Sequence, residues 1–287
     1  MQQALVTEAV WRRVLALRDD AGAVGPVEAL TACGEPTVRA AAEAAAFALY
    51  QPLAAARGPF LVAQVGQSLD GRVATVSGDA RDISGHDGLR HLHRCRALLD
   101  AVVVGATTVL HDDPRLTVRL VEGPNPVRVV IDPRGRVPGT AQVFAEDGVR
   151  RIVIQATDTP RPAGVEVVRL PAIDGWISPG AILKVLARRG LGRLLIEGGG
   201  VTIARFLEAN LLHRLHVSVA PLIIGAGPAG LRTTPVPRLA DALRPETFVY
   251  GLGTDVVFDC ALAQSGSAST SPWPTVQEEA PLAARRA

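Results

Sequence analysis

The residues best suited to chemistry lie where buried apolar runs meet glycine. Asp100-Ala-Val-Val-Val-Gly105-Ala-Thr-Thr108 reads as a buried strand, a glycine turn and the start of a helix. Arg193-Leu-Leu-Ile-Glu197-Gly198-Gly199-Gly200-Val201-Thr202 repeats that logic with three glycines. Such a turn leaves backbone N–H groups unpaired at a positive helix N-terminus, with no Cβ to hold an anion away. Thr107, Thr108 and Thr202 could add hydroxyl donors, so two such turns at one sheet end could grip a pyrophosphate. Each glycine could equally serve only a tight turn. Neither loop is a P-loop, and no G-x-G-x-x-G opens the first strand-helix unit, so an ordinary Rossmann dinucleotide fold is not expected.

Charge and cysteine content narrow the partners. The chain has 30 basic and 28 acidic residues, a net +2, which gives no extended basic face for nucleic acid. Nearly every cation is arginine, whose planar fork suits phosphate and carboxylate, although a GC-rich genome gives the same bias. Cys33, Cys95 and Cys260 are too scattered for a disulfide framework, and no C-x-x-C pair exists for zinc. His91 and Cys95 share a helical face at i, i+4, but no third ligand is apparent and Arg90, Arg94 and Arg96 stand nearby, so no metal is expected. His213 and His216 read as surface residues at a strand start. Trp11, Trp176 and Trp273 read as packing or tail residues. No leader pattern or membrane span is evident, which suits a soluble protein of the reducing cytoplasm.

The elements that must position these residues are an α/β set. At ~100–200 residues per domain, 287 residues make one large domain or two small ones. Residues 1–57 read as a helical extension. Leu5, Trp11, Val14, Leu15 and Leu17 give one apolar face, and a second helix runs from Val38 to Tyr50 and stops before Pro52. Two short helices bury little core alone, so they must pack on the remainder of the chain. Strands are expected at Phe60–Val65, Ala101–Val104, Val127–Ile131, Ile152–Gln155, Val165–Val168, Leu194–Glu197 and Leu215–Val219. Helices are expected after Ser84 as N-cap and after Ser178-Pro179. Thr247–Tyr250 and Asp255–Asp259 read as a closing hairpin. The architecture is therefore α/β, with a mostly parallel central sheet flanked by helices and an antiparallel C-terminal hairpin; residues 58–263 form the main domain and 264–287 a disordered tail.

Several phrases carry a family resemblance: Gly66-Gln-Ser68-Leu-Asp70-Gly-Arg72, Arg94-Cys-Arg96-Ala, Asp112-Asp113-Pro114-Arg115-Leu116-Thr-Val-Arg119, Pro126-Val-Arg-Val-Val-Ile-Asp132, Glu197-Gly-Gly-Gly200 and Leu215-His-Val-Ser-Val-Ala-Pro-Leu-Ile-Ile-Gly225. In this order, over residues 58–262, they closely resemble the reductase domain of the riboflavin-biosynthesis deaminase/reductase family, which has the dihydrofolate-reductase-like fold. The deaminase half needs H-x-E and P-C-x-x-C. Residues 1–57 contain no histidine and one cysteine, so the chain resembles a stand-alone reductase.

The resemblance implies NADPH, a homodimer, and reduction of C1′ in 5-amino-6-(5-phosphoribosylamino)uracil, or its 2,5-diamino-pyrimidinone counterpart, to the ribitylamino product. It implies cofactor contacts at Gly66, Asp82, Gly105, Thr108, Asp112, Arg134, Gly198, Gly199, Gly200, Val201 and Thr202. Substrate contacts fall to Ala80, Arg96, Leu116, Arg119 and Glu197, with Arg96 and Arg119 as phosphate clamps. A proton must arrive as the ribose ring opens, from Asp70, Asp112, Glu197 or water. Two positions depart from the family. Asp82 stands where an aromatic residue is usual, and Pro133 stands where a serine often donates to the 2′-phosphate, a role left to Arg134. These departures leave open a reductase of another pyrimidine, pterin or imine, and a non-catalytic nucleotide-binding module.

Overall fold

The computed structural model describes residues 1–20 and 37–262 of the 287. The expected tail, Cys33 and Trp273 lie outside the described residues. In chain order the elements are β1 (Gln2–Gln3), α1 (Glu8–Asp19), α2 (Val38–Ala54), β2 (Phe60–Ser68), α3 (His86–Leu98), β3 (Ala101–Gly105), α4 (Ala106–Asp112), β4 (Val127–Ile131), β5 (Arg151–Gln155), β6 (Val165–Arg169), β7 (Ala172–Ile173), β8 (Trp176–Ile177), α5 (Pro179–Ala187), β9 (Arg193–Glu197), α6 (Gly200–Glu208), β10 (Arg214–Ala220), β11 (Glu246–Leu252) and β12 (Asp255–Ala261).

Ten strands form one sheet in the order β1-β11-β12-β10-β2-β9-β3-β4-β5-β6, and β7 and β8 form a separate small hairpin. From β10 to β6 every pairing is parallel, whereas β12 runs antiparallel to both β10 and β11. The parallel strands are covered on both faces, which is why they read as unbroken apolar runs. Along β3, Val102 and Val104 enter the core under α1, α2 and α3, while Ala101 and Val103 enter the core under α5 and α6. Burying such side chains contributes about 1.5–3 kcal/mol each.

The described residues 1–20 and 37–57 join the first of these cores and add a strand. Val10, Trp11, Val14, Phe47, Leu49 and Tyr50 pack into the same cluster as Val62, Leu98 and Val102. Trp11 Nε1 donates to the Glu122 carbonyl at 2.8 Å. β1, which the sequence did not signal, pairs parallel with β11.

Two local expectations are corrected. α2 continues through Pro52 to Ala54. Proline removes the bond to the carbonyl of residue 48, but Ala48 is exposed, so water can satisfy that carbonyl. The cap of α3 is Gly85, not Ser84, and its N–H donates to both carboxylate oxygens of Asp255 at 3.0 and 3.1 Å. The capping charge comes from β12, far along the chain, where a local reading looks only at neighbours.

Candidate active site

β3 and β9 are neighbours in the sheet, with Val104 opposite Glu197, so their glycine turns leave the same edge side by side. The two turns also touch. Gly199 N–H donates to Thr108 Oγ1 at 3.0 Å. A Cβ on Gly105 would stand 2.5 Å from Thr202 Oγ1, and one on Gly200 2.4 Å from the Gly230 carbonyl oxygen. Gly198 has φ +88° and faces Thr108. Three of these four glycines are therefore required by chain packing itself. Gly199 is different: φ is −56°, and an added Cβ meets nothing closer than Thr108 Oγ1 at 3.5 Å. The turns form one joined wall on which an anion can rest, rather than two jaws around it.

That wall borders a cleft of about 720 Å³. Of the residues expected from sequence, Gly66, Ala80, Asp82, Arg96, Gly105, Thr108, Asp112, Leu116, Arg134, Glu197, Gly198, Gly199, Gly200, Val201 and Thr202 all line it. At its floor, Arg96 in the last turn of α3 meets Glu197 at the end of β9. Nε and Nη2 donate to Oε1 and Oε2, each at 2.7 Å, and Nη1 donates to the Thr117 carbonyl at 3.1 Å. Both side chains are over nine-tenths buried. The fork of Arg96 is thus largely occupied by protein, leaving one N–H on each of Nη1 and Nη2, and each Glu197 oxygen keeps a further lone pair.

Asp112 ends α4 at the cleft edge, where partial burial, opposed by His111 and Arg81, raises its carboxyl above the ordinary aspartate range. Asp82 has φ +58°, a backbone region that aspartate tolerates and a bulky aromatic side chain does not. The missing aromatic at this position therefore has a conformational reason.

Two expected residues are not brought to the cleft. Asp70 is exposed: its carboxylate accepts from Ser68 Oγ at 2.5 Å and from the N–H groups of Ile224 and Gly225 at 3.1 and 2.6 Å. The Ser68 hydroxyl first, then the amides, hold its pKa at about 2. It is an ionised latch between two loops and is not among the residues that line the cleft. Arg119 is also exposed and donates to Thr117 Oγ1 at 2.7 Å, while its backbone N–H binds His93 Nδ1. It borders a second, smaller pocket with Trp11, Arg90 and Arg94. Its guanidinium is nevertheless held below its usual pKa by partial burial and by the charges of Arg96 and Arg115.

Sequence reasoning missed Trp176 and Arg205. Asp174 and Gly175 both have positive φ (53° and 78°), the two-residue turn of a tight hairpin, and this turn presents Trp176 to the cleft. Arg205 of α6 lies over the Trp176 ring at 4.4 Å from its centroid. The Asp-Gly pair was the available signal.

The cleft suits an anionic dinucleotide. Arg134, Arg136, Arg205 and Arg232 line it, and none has an ion-pair partner among the described residues. Arg205 Nε is buried without an acceptor. Unneutralised guanidinium groups beside an aromatic ring and the first N–H groups of α6 fit phosphates attached to a planar base.

Fold and cleft define a dihydrofolate-reductase-like α/β protein with a nucleotide-sized site at the carboxyl ends of its parallel strands. Residues 59–244 match the model of the RibD C-terminal domain, and the chain belongs to that family. A protein of Archaeoglobus fulgidus named 2,5-diamino-6-ribosylamino-4(3H)-pyrimidinone 5′-phosphate reductase is 36% identical over 181 residues, 58% of this chain and 82% of that protein. A protein of the same name from Methanothermobacter thermautotrophicus is 34% identical over 214 residues, 70% of this chain and 97% of that one. The crystal structure of a diaminohydroxyphosphoribosylaminopyrimidine deaminase/5-amino-6-(5-phosphoribosylamino)uracil reductase from Thermotoga maritima superimposes with TM-score 0.64 at 27% identity, covering 79% of this chain and 63% of that one.

Proposed function

We propose that this chain is an NADPH-dependent reductase of riboflavin biosynthesis, acting on 5-amino-6-(5-phosphoribosylamino)uracil or its 2,5-diamino-pyrimidinone counterpart. The observation that carries the reading is the buried Arg96–Glu197 pair at the floor of a cleft whose wall is the joined glycine turns. The names of the archaeal relatives support the substrate class.

When bound, NADPH supplies the hydride that reduces C1′ of the ribosyl group. The Gly199–Thr202 turn holds its pyrophosphate, Trp176 offers a face to a base, and Arg134 takes the 2′-phosphate contact that Pro133 cannot make. Glu197, fixed by Arg96, accepts from hydroxyl or N–H groups of the substrate and so sets its orientation, which in such reactions supplies much of the rate. Arg96 keeps one free N–H on each of Nη1 and Nη2, and these donate to the substrate at the cleft floor. As C1′ is reduced, its bond to the ring oxygen breaks and that oxygen needs a proton. Asp112 is the donor on this reading, because it lines the cleft and partial burial shifts its pKa upward.

The protein acts as a cytoplasmic homodimer on this proposal. Exposed Ile223, Val236, Leu239 and Leu243 between β10 and β11 supply apolar surface for a second copy. No helix among the described residues is long and apolar enough to cross a membrane.

The test is NADPH oxidation by the purified protein with the phosphoribosylaminopyrimidine, set beside NADH and beside substrate lacking phosphate. Substrate-dependent oxidation with a ribitylamino product supports the proposal. Cofactor binding without turnover on either pyrimidine refutes it.

A further inference from the structure

On the core side of α3, one turn from the cleft, three side chains converge that the proposed reaction does not use. His91 and Cys95 share a face of α3, and His216 comes from the start of β10, 121 residues beyond Cys95. All three are fully buried, so the surface reading of His216 is corrected. His91 Nε2 lies 3.3 Å from His216 Nδ1, and Cys95 Sγ lies 3.7 Å from the first and 3.9 Å from the second. With Zn–N near 2.0–2.1 Å and Zn–S near 2.3 Å, a tetrahedral zinc ion sets N–N at about 3.3 Å and N–S at about 3.6 Å. The observed triangle matches the first edge and needs only a few tenths of an ångström on the other two.

The surroundings are those of a metal site. His91 Nδ1 is 3.0 Å from the Tyr50 hydroxyl, and His216 Nε2 is 3.2 Å from Asp259 Oδ1. The far nitrogen of each ring thus faces an oxygen, the arrangement that fixes the tautomer and orientation of metal-bound histidines. The approach of His216 Nε2 to Asp259 falls short of hydrogen-bond alignment, and Nε2 has no hydrogen-bond partner among the described residues. Of the cationic residues on α3, Arg96 pairs with Glu197 and Arg90 borders the smaller pocket, while buried Arg94, 3.5 Å from the Tyr50 hydroxyl, is close enough for its charge to favour the Cys95 thiolate. Asp259, salt-bridged to Arg214, adds a negative charge behind His216.

We propose that His91 Nε2, Cys95 Sγ and His216 Nδ1 bind a zinc-class divalent ion as its three protein ligands. Cys95 binds as the thiolate, its proton released to solvent as the ion enters during folding. The site is structural. Through Tyr50 it fastens the helices of residues 1–57 to α3, and through Asp259 it reaches the hairpin β11–β12.

The experiment uses the full chain, produced in cells supplied with zinc or with cobalt and dialysed against a chelator. One equivalent of metal per chain is expected. The cobalt form should show the visible bands of tetrahedral coordination and a thiolate-to-cobalt charge-transfer band. That band should survive in a Cys33→Ser/Cys260→Ser variant and vanish in Cys95→Ser, and His216→Asn should retain less than a tenth of the metal. X-ray absorption at the zinc edge of the unaltered protein provides an arm that depends on no variant: one sulfur and two imidazole nitrogens are expected. Substoichiometric metal, a sulfur-free shell, or a charge-transfer band that persists without Cys95 overturns the proposal and leaves the three groups as a hydrogen-bonded core cluster.

Discussion

Cutting the Arg96–Glu197 pair tests whether the cleft floor is held by charge. Arg96→Met removes two charge-assisted bonds of 2.7 Å and leaves the Glu197 carboxylate at 6% side-chain exposure. Two unit charges ~4 Å apart attract by about 4 kcal/mol at an effective dielectric of 20. Breaking a buried pair by removing one partner typically costs about 3–5 kcal/mol, because the other charge is stranded. Against a total stability of about 5–15 kcal/mol, this variant should still fold but with a clearly lower urea midpoint. Glu197→Leu strands Arg96 and should cost a similar amount. The double variant Arg96→Met/Glu197→Leu removes both charges, so its loss should stay below about 2 kcal/mol, far from the sum of the single losses. Urea unfolding monitored by tryptophan fluorescence reads all three, since Trp11 is buried in the core that shares α3. The m-value should be unchanged. Turnover should be lost in Glu197→Leu and in the stable double variant, because the substrate-orienting acceptor is gone, and should fall in Arg96→Met, where Glu197 remains but is no longer held in place. A double-variant loss equal to the sum of the single losses refutes the reasoning, as does a loss under about 1 kcal/mol for Arg96→Met.

Gly199→Val should fold, because only Thr108 Oγ1 approaches its Cβ position, yet lose NADPH affinity by at least tenfold; Gly200→Ala should instead lower the melting temperature, because the Gly230 carbonyl blocks it. Differential scanning fluorimetry with and without NADPH separates the two. Asp70 is held ionised down to about pH 2 against an ordinary value of 3.8, so its latch contributes at pH values above 3.8 and is lost as pH falls through about 2. Asp70→Asn should therefore speed amide exchange at Ile224 and Gly225 at pH 6 while leaving the pH-rate profile unchanged, and a shifted profile would count against the latch. Asp112, with its pKa raised, donates only below that value, so turnover should fall as pH rises through it. Asp112→Asn should abolish that limb; a surviving limb assigns the proton to another group. Trp176→Ala should raise the NADPH KM about five- to tenfold, the equivalent of about 1–1.4 kcal/mol of stacking, with kcat little changed.

The sheet was legible because β3, β4, β5 and β9 are short, doubly buried and built of Val, Ile and Leu, a pattern that no solvent-facing strand needs. Most of the cleft wall was legible too, because its residues sit in contiguous phrases at strand ends, where chain order and spatial order coincide. The features that escaped depended on distant partners. Nothing near Ser84 shows that Asp255 will cap α3 from the far end of the chain, and nothing near His216 shows that His91 and Cys95 will face it. Asp70 and Glu197 are both carboxylates beside a turn. Only the folded chain shows the first bonded to Ser68, Ile224 and Gly225 in an exposed loop, and the second buried on Arg96. β1 was invisible because two residues carry no periodicity. Pro52 misled because it stands in the last turn of α2, where only the carbonyl of Ala48 loses its partner, and Ala48 faces solvent.

α3 explains why this family site tolerates a helical extension packed so close to it. Successive residues on a helix diverge by ~100°, so one turn can serve three different environments. Arg96 turns to Glu197 and the cleft, Cys95 and His91 turn to His216 in the core, and Arg94 turns to Trp11 and Tyr50 of α1 and α2. The described part of the extension therefore meets the site through α3 and, by the Trp11–Glu122 bond, through the loop that carries Arg119. A rigid helix passes on a displacement of its whole body but not a change confined to one face, so α1 and α2, which do not line the cleft, can set where Arg96 stands. That division also accounts for where polar groups were placed inside an otherwise apolar layer. Tyr50, His91, His216 and Asp259 form a line from the extension through α3 and β10 to the C-terminal hairpin. Such a line admits few alternative registers, because a slip of any one element would leave buried polar groups unpaired.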